Sequence, residues 1–91
     1  MTSSVAETLR AARALIDTPD KWCQGAYGRG ERCCVKGAIW RMRTPSHTMR
    51  LAFMALRRVT NSTPETFNDT HTHAEVIAAL DAAIAAEEAT P

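Results

Sequence analysis

All cysteines, glycines and tryptophans of this chain lie within residues 22–40, together with its one tyrosine. Each of these residue types has special chemistry. A thiolate is a nucleophile and a metal ligand, glycine permits left-handed turns, and aromatic rings anchor interfaces. Any site that this chain carries should therefore be built around this segment.

A metal site would draw on Cys23 and Cys33, with His71 or His73 as further ligands. Zinc sites usually bring their ligands in close pairs such as C-x-x-C. Here Cys23 and Cys33 stand ten positions apart, and Cys34 directly follows Cys33. An odd number of cysteines is also untypical of a disulfide framework. We therefore expect buried, reduced thiols, no metal and no other cofactor.

Catalysis by a cysteine would place the nucleophile at Cys33, because Arg29, Arg32 and Lys36 would lower the pKa of a nearby thiol. A catalytic dyad also needs a base within hydrogen-bond reach, and no short motif supplies one here. We expect no catalytic residues and no enzymatic activity.

A phosphate cradle is the third candidate, since glycines at positions 25, 28 and 30 precede a basic helix and helix N-termini bind anions. The segment matches neither the Walker loop nor the dinucleotide-binding fingerprint. We interpret it as a structural loop that closes over Trp22 and Tyr27.

The charges are segregated along the chain. Residues 20–58 contain nine basic and two acidic residues, whereas residues 59–91 contain six acidic residues and neither lysine nor arginine. Two interpretations follow: the acidic last helix neutralises the basic segment within the molecule, or the two signs face different ways and steer an acidic partner. We favour neutralisation, because a small domain brings all its helices close together.

Apolar residues recur at helical spacing in four segments. The first begins at Ser4 and ends before Thr18-Pro19, the second covers about 31–43, the third begins at Ser46, and the last follows a Thr72–Glu75 capping box. The third is apolar on several sides, so we expect it to lie at the centre. The fold class is all-α: a compact four-helix domain with one glycine-rich loop, spanning residues 1–91 with a frayed tail at about 87–91.

Gly37 lies inside the second predicted helix. A glycine in mid-helix costs about 1 kcal/mol relative to alanine, so its presence predicts a close approach by a neighbouring element. The N-terminus does not have the pattern of a secretory signal, and no apolar run approaches the roughly 20 residues that cross a bilayer. We expect a cytoplasmic protein without a membrane partner.

The chain resembles an uncharacterised family that occurs in actinobacteria, in other bacteria and in their phages, and that is catalogued as a domain of unknown function. The resemblance rests on residues across most of the chain: Trp22-Cys23-Gln24-Gly25, Gly30, Cys33, Gly37-Ala38-Ile39, Phe67-Asn68-Asp69, Glu75-Val76 and the sequence ALDAAI at 79–84. Phe67 replaces a tryptophan of the family, which keeps a packing role intact. Cys34 replaces a leucine-like residue, which argues against a functional thiol there. The resemblance implies a small α-helical fold and phage association, and no activity.

The motif Phe67-Asn68-Asp69 precedes the last helix. Asn and Asp in such places commonly accept hydrogen bonds from the backbone amides of loops and helix ends. We expect Phe67 to pack into the bundle and Asn68 or Asp69 to bond such amides, so that the motif is structural.

The leading hypothesis for function is a small non-enzymatic interaction protein of phage or mobile-element type. It would bind and modulate a host or viral protein complex, inhibition of a bacterial defence system being one such role. An aromatic-rich loop suits anchoring at an interface. The predicted binding residues are Trp22, Tyr27, Arg29, Arg32 and Trp40.

The alternative is a nucleic-acid-binding regulator that uses the basic segment 21–58. Five arginines flank a helix–turn–helix-like junction at residues 44–46, and clustered arginines bind phosphates. The acidic last helix and a sequence pI near 7.8 argue against it. The sequence leaves the oligomeric state open. The arginines are Arg41, Arg43, Arg50, Arg57 and Arg58.

Overall fold

The computed structural model describes residues 4–89, which form five α-helices, one 3₁₀ turn and a two-stranded antiparallel ribbon. Helix α1 leads through the 3₁₀ turn and the ribbon into the short helix α2. Helices α3, α4 and α5 then follow one another through short connections. The bounds are α1 Ser4–Leu15, the 3₁₀ turn Pro19–Lys21, β1 Gly28–Arg29, β2 Arg32–Cys33, α2 Val35–Trp40, α3 Ser46–Thr60, α4 Pro64–Thr70 and α5 His73–Ala89.

The ribbon corrects the prediction of a purely α-helical fold with a second helix from about residue 31. Gly28 pairs with Cys33 and Arg29 with Arg32, so α2 begins only at Val35. The two-residue turn between the strands starts with Gly30 at φ +63°. A glycine followed by another residue is a usual pair for a tight hairpin, because its positive φ matches the twist of the strands.

Helix α4 is the second correction, since four helices were expected. Helix α3 ends at Thr60, and the residue that caps it, Asn61, adopts a left-handed φ of +59°. Thr63 then caps α4, with its hydroxyl accepting a hydrogen bond from the Thr66 amide, and Pro64 occupies the first turn. Proline fits that position because its missing amide hydrogen would have no helical partner.

The core lies between α1, α3 and α5, with α2 packed on α1. Helix α1 contributes the fully buried Leu9, and Ile16 just beyond its end is buried as well. Helix α3 contacts α1, α2, α4 and α5, as its apolar character predicts, although Met54 and Val59 on it are each 40% exposed. Helix α1 contacts α2, α3 and α5.

Helix α5 begins as the sequence predicts. The amide of Thr72 donates to the Glu75 carboxylate at 2.9 Å, and the Glu75 amide donates to the Thr72 hydroxyl at 3.2 Å. The helix continues to Ala89, past the point where fraying was expected; residues 90 and 91 lie outside the described part of the chain. Among residues 4–89, no helix has both the length and the apolar character needed to span a bilayer.

Gly37 confirms the predicted close approach. A Cβ atom at this position would collide with the carbonyl oxygen of Tyr27 and lie 2.9 Å from its carbonyl carbon. Helix α2 therefore rests directly on the backbone of the segment before β1, and only glycine leaves room for that contact.

Gly37→Ala should lower the free energy of unfolding by about 2–3 kcal/mol, the scale of an overpacked contact. At an ordinary helical position the same change would raise stability by about 1 kcal/mol. The sign of the change in the free energy of unfolding therefore shows whether the close contact or the helix propensity dominates. Denaturant unfolding measures it. Ala82→Gly, at an exposed position of α5, is the control, because it measures helix propensity alone. An unchanged or more stable Gly37→Ala protein would contradict the packing.

Candidate functional site

The side chain of Asn68 joins three parts of the chain from a fully buried position on α4. Its Oδ1 accepts hydrogen bonds from the Trp22 indole at 2.6 Å and from the Val35 amide at 3.0 Å. Its Nδ2 donates to the carbonyl of Cys23 at 3.0 Å and to the Asp69 carboxylate at 3.2 Å. One amide thus fixes the start of the 22–34 segment, the first residue of α2 and the middle of α4 together.

The neighbours of Asn68 extend this connection. Gln24 donates through Nε2 to the carbonyls of Asn68 and His71, both at 3.0 Å. The Gly25 amide donates to the Asp69 carboxylate at 2.9 Å. Phe67 packs against the core and stacks on His71 with ring centroids 3.8 Å apart. The structural role predicted for Phe67-Asn68-Asp69 is confirmed.

These bonds also define the glycine-rich segment as a closed loop. The amide of Gly25, which a phosphate cradle would use, already donates to the carboxylate of Asp69. At the other end, the Arg41 guanidinium donates to the carbonyls of Gly30 and Arg32 at 3.2 and 3.4 Å. Arg41 therefore holds the ribbon turn in place.

The three cysteines are buried and free of disulfides. Burial raises the pKa of Cys33 and outweighs the lowering effect of Arg41. Burial likewise raises the pKa of Cys34, although its sulfur accepts the Gly37 amide at 3.3 Å and so caps α2. The pKa of Cys33 is therefore shifted in the opposite direction to the one that a catalytic thiolate would need, because desolvation disfavours the thiolate.

No three His, Cys, Asp or Glu side chains of residues 4–89 come together as a possible metal site. The two candidate histidines have structural contacts. His73 bonds through Nε2 to the carbonyl of Ile16 at 2.6 Å, and its ring meets the edge of Trp22 at 5.6 Å. His71 bonds through Nδ1 to the carbonyl of Phe67 at 3.0 Å.

Tyr27 and Trp40 form the most exposed aromatic pair of the described chain. Their ring centroids lie 4.6 Å apart, with an angle of 55° between the ring planes. Tyr27 is 49% exposed and Trp40 is 41% exposed. The Lys36 ammonium lies 5.3–5.7 Å from the centroids of Tyr27, Trp40 and Phe53. These four residues, which come from the ribbon segment, α2 and α3, are called the aromatic face below.

Glu65 of α4 holds Lys36 in this position, with 2.6 Å between its carboxylate and the ammonium. The hydrogen bond between them raises the pKa of Lys36 and lowers the pKa of Glu65. The cation therefore stays charged over the rings, where it is attracted by their π-electrons.

Two of the four acids of α5 pair with α1, and within residues 4–89 none of the four forms an ion pair with the basic segment, so the predicted neutralisation by that helix is wrong. Arg13 bonds to Asp81 at 2.6 Å, and Arg10 pairs with Glu88. Within residues 4–89, seven arginines of the basic segment form no ion pair with a carboxylate: Arg29, Arg32, Arg41, Arg43, Arg50, Arg57 and Arg58.

Among the predicted binding residues, Tyr27 and Trp40 meet in the aromatic face, and Arg29 and Arg32 lie opposite each other on the exposed ribbon. Trp22 lies apart from them, half-buried and bonded to Asn68. Sequence reasoning missed Lys36, Glu65 and Phe53 as parts of this arrangement. Helical spacing places Lys36 and Trp40 on one side of α2, but nothing in the sequence brings the other two to them.

These features define a small, mostly helical protein with a two-stranded ribbon and an exposed aromatic face on one side of a helical bundle. The chain belongs to DUF6197, a family of unknown function whose model matches residues 1–86, which confirms the resemblance seen in the sequence. No curated protein and no solved structure matches the chain.

Asn68→Ala should lower the free energy of unfolding by about 3–5 kcal/mol, because it leaves a buried indole N–H, an amide and a carbonyl without partners. Asp69→Ala, at an exposed neighbouring position, should cost about 1 kcal/mol. Chemical denaturation of both variants tests the ranking. Equal and small losses would show that Asn68 does not hold these segments together.

Glu65→Gln should destabilise the protein at neutral pH and much less in acid. The folded-state pKa of Glu65 lies below its ordinary 4.5, so its contribution is present above that pH and is lost as the pH falls through the folded pKa. Melting curves of both proteins from neutral to acid pH should therefore converge below about pH 4.5. Glu31→Gln, in the exposed ribbon turn, is the control. A constant difference at all pH values would exclude the ion pair as the cause.

Proposed function

We propose that this is a small, non-enzymatic, cytoplasmic interaction protein encoded by a phage or mobile element. It acts by occupying a surface of a host or viral protein complex and so modulates or inhibits that complex. The observation that carries the proposal is the aromatic face, which presents an adjacent tyrosine and tryptophan to solvent. Tyrosine and tryptophan, with arginine, are the residues that contribute most to binding at protein interfaces.

The support beneath this face favours binding without a large entropic cost. The backbone of Tyr27 is fixed because its carbonyl accepts the Cys34 amide at 3.3 Å and Gly37 packs against it. The Lys36–Glu65 pair ties the rings to α4. A surface that is ordered before binding loses less conformational entropy when the partner arrives.

The predicted binding residues then have two different roles. Tyr27, Trp40, Arg29 and Arg32 contact the partner. Trp22 acts from inside, because its bond to Asn68 keeps the loop in the conformation that presents Tyr27.

The alternative function is a nucleic-acid-binding regulator. The unpaired arginines of α3 favour it, because arginines near a helix–turn–helix-like junction contact phosphates in proteins of that type. A heparin column and a salt series distinguish the two functions, since phosphate binding weakens steeply with salt.

Trp40→Ala should weaken capture of the partner by about 2 kcal/mol or more, the usual size of an interface hot spot, and Tyr27→Ala should act in the same direction. The measurement is affinity purification from the native host, followed by titration of the captured protein. Val59→Ala is the matched control, with an apolar side chain of similar exposure on α3. Full partner binding by a folded Tyr27→Ala/Trp40→Ala protein would overturn the proposal.

A further inference from the structure

We infer that the partner presents an acidic polypeptide segment in which carboxylates lie on both sides of an apolar side chain. This inference rests on the proposed function and specifies the chemistry of the partner. The apolar side chain would pack in a cavity beside the Tyr27 and Trp40 rings, and the carboxylates would meet the arginines next to the aromatic face.

The anchor site is a shallow cavity of about 350 Å³ beside the two exposed rings. The rings form its apolar wall, because the Tyr27 carbonyl already covers Gly37 and the Arg41 guanidinium covers Gly28. Two guanidinium-bearing residues complete its lining. The lining residues are Tyr27, Gly28, Gly37, Trp40, Arg41 and Arg43.

The second group of positive charges lies on α3. Arg50 and Arg57 are exposed and stand three residues before and four residues after Phe53, which makes them its neighbours on the helix surface. Because the Phe53 ring lies 5.5 Å from the Lys36 ammonium, these arginines stand next to the part of the aromatic face that α3 contributes. Positive charge therefore lies beside the cavity and beside Phe53.

The charge of this surface is not balanced from within. Asp81 and Glu88 of α5 are paired with α1, and Glu65 is paired with Lys36. A partner that supplies carboxylates would therefore gain attraction without first breaking an ion pair of this surface.

Arg43 gives a second reason to place a charge contact beside the cavity. It adopts a left-handed φ of +52° after α2, a conformation that is unfavourable for arginine. Asn61 has almost the same φ after α3, and there the chain carries a residue that tolerates it. At position 43 a cationic side chain is thus present where the backbone favours Asn or Gly.

The aromatic face suits a polypeptide better than a single-stranded nucleic acid. A stacked base needs an open ring face. Tyr27 and Trp40 already pack against each other, and the Lys36 ammonium lies over both rings. The cavity beside the rings remains open and accepts a side chain.

The test uses the full chain and three probes: a short fluorescent peptide with glutamates on both sides of Leu-Phe, the same peptide with lysines in place of the glutamates, and an oligothymidylate of matching charge. Fluorescence anisotropy and the indole NMR signal of Trp40 report binding at low and high salt. The glutamate peptide should bind most tightly, shift the Trp40 signal and weaken several-fold as salt rises.

Arg43→Asn and Arg50→Gln should each weaken the glutamate peptide by roughly threefold to fivefold, while the melting temperature of Arg43→Asn stays the same or rises. Arg10→Gln, on α1, should leave the affinity unchanged. Tighter binding of oligothymidylate, equal binding of the lysine peptide, or no effect of the two arginine substitutions would each overturn the inference. If the Tyr27 and Trp40 variants still lose the cellular partner in that case, the proposed function stands and only the acidic chemistry fails.

Discussion

The structure depends on one buried amide. In a chain of 91 residues the core is small, and the segment between α1 and α2 contains little regular structure of its own. Asn68 holds this segment in place, because its oxygen accepts two hydrogen bonds and its nitrogen donates two. A buried polar group is stabilising only when its bonding capacity is filled, and here the amide group uses both its donors and both its acceptor sites. Removing it would leave polar groups on three segments without hydrogen-bond partners.

The hydrogen bonds of Asn68 also determine where exposed side chains lie. The amide places the start of α2, α2 rests on Tyr27 through Gly37, and Lys36 and Trp40 then project from α2 on the same side. Two acids that could have neutralised the neighbouring arginines are used elsewhere, since Asp81 and Glu88 of α5 pair with Arg13 and Arg10 of α1. A packed aromatic pair and unpaired positive charge therefore occur together because of how the helices pack.

The sequence predicts those features that depend on local pattern. The periodicity of α1 and α5, the Thr72–Glu75 cap, the close approach at Gly37 and the structural role of Phe67-Asn68-Asp69 are all confirmed. The ribbon was missed because strands of two residues are too short to show alternation, although Gly30-Glu31 is a usual hairpin pair. The start of α4 was predictable from Thr63-Pro64, because a capping residue followed by proline is typical of a helix N-terminus. The ion pairs could not be predicted, because they depend on which helices lie side by side.

Hydrogen exchange at the Trp22 indole and the Val35 amide tests most directly whether Asn68 holds the loop rigidly on the bundle. Both groups donate to Asn68, and we expect their release to be part of global unfolding. Their opening free energies should therefore equal those of the most protected amides of α1. If both exchange through a local opening that is several kcal/mol less costly while α1 stays protected, the loop is a separate, mobile unit, and the rigid aromatic face is contradicted.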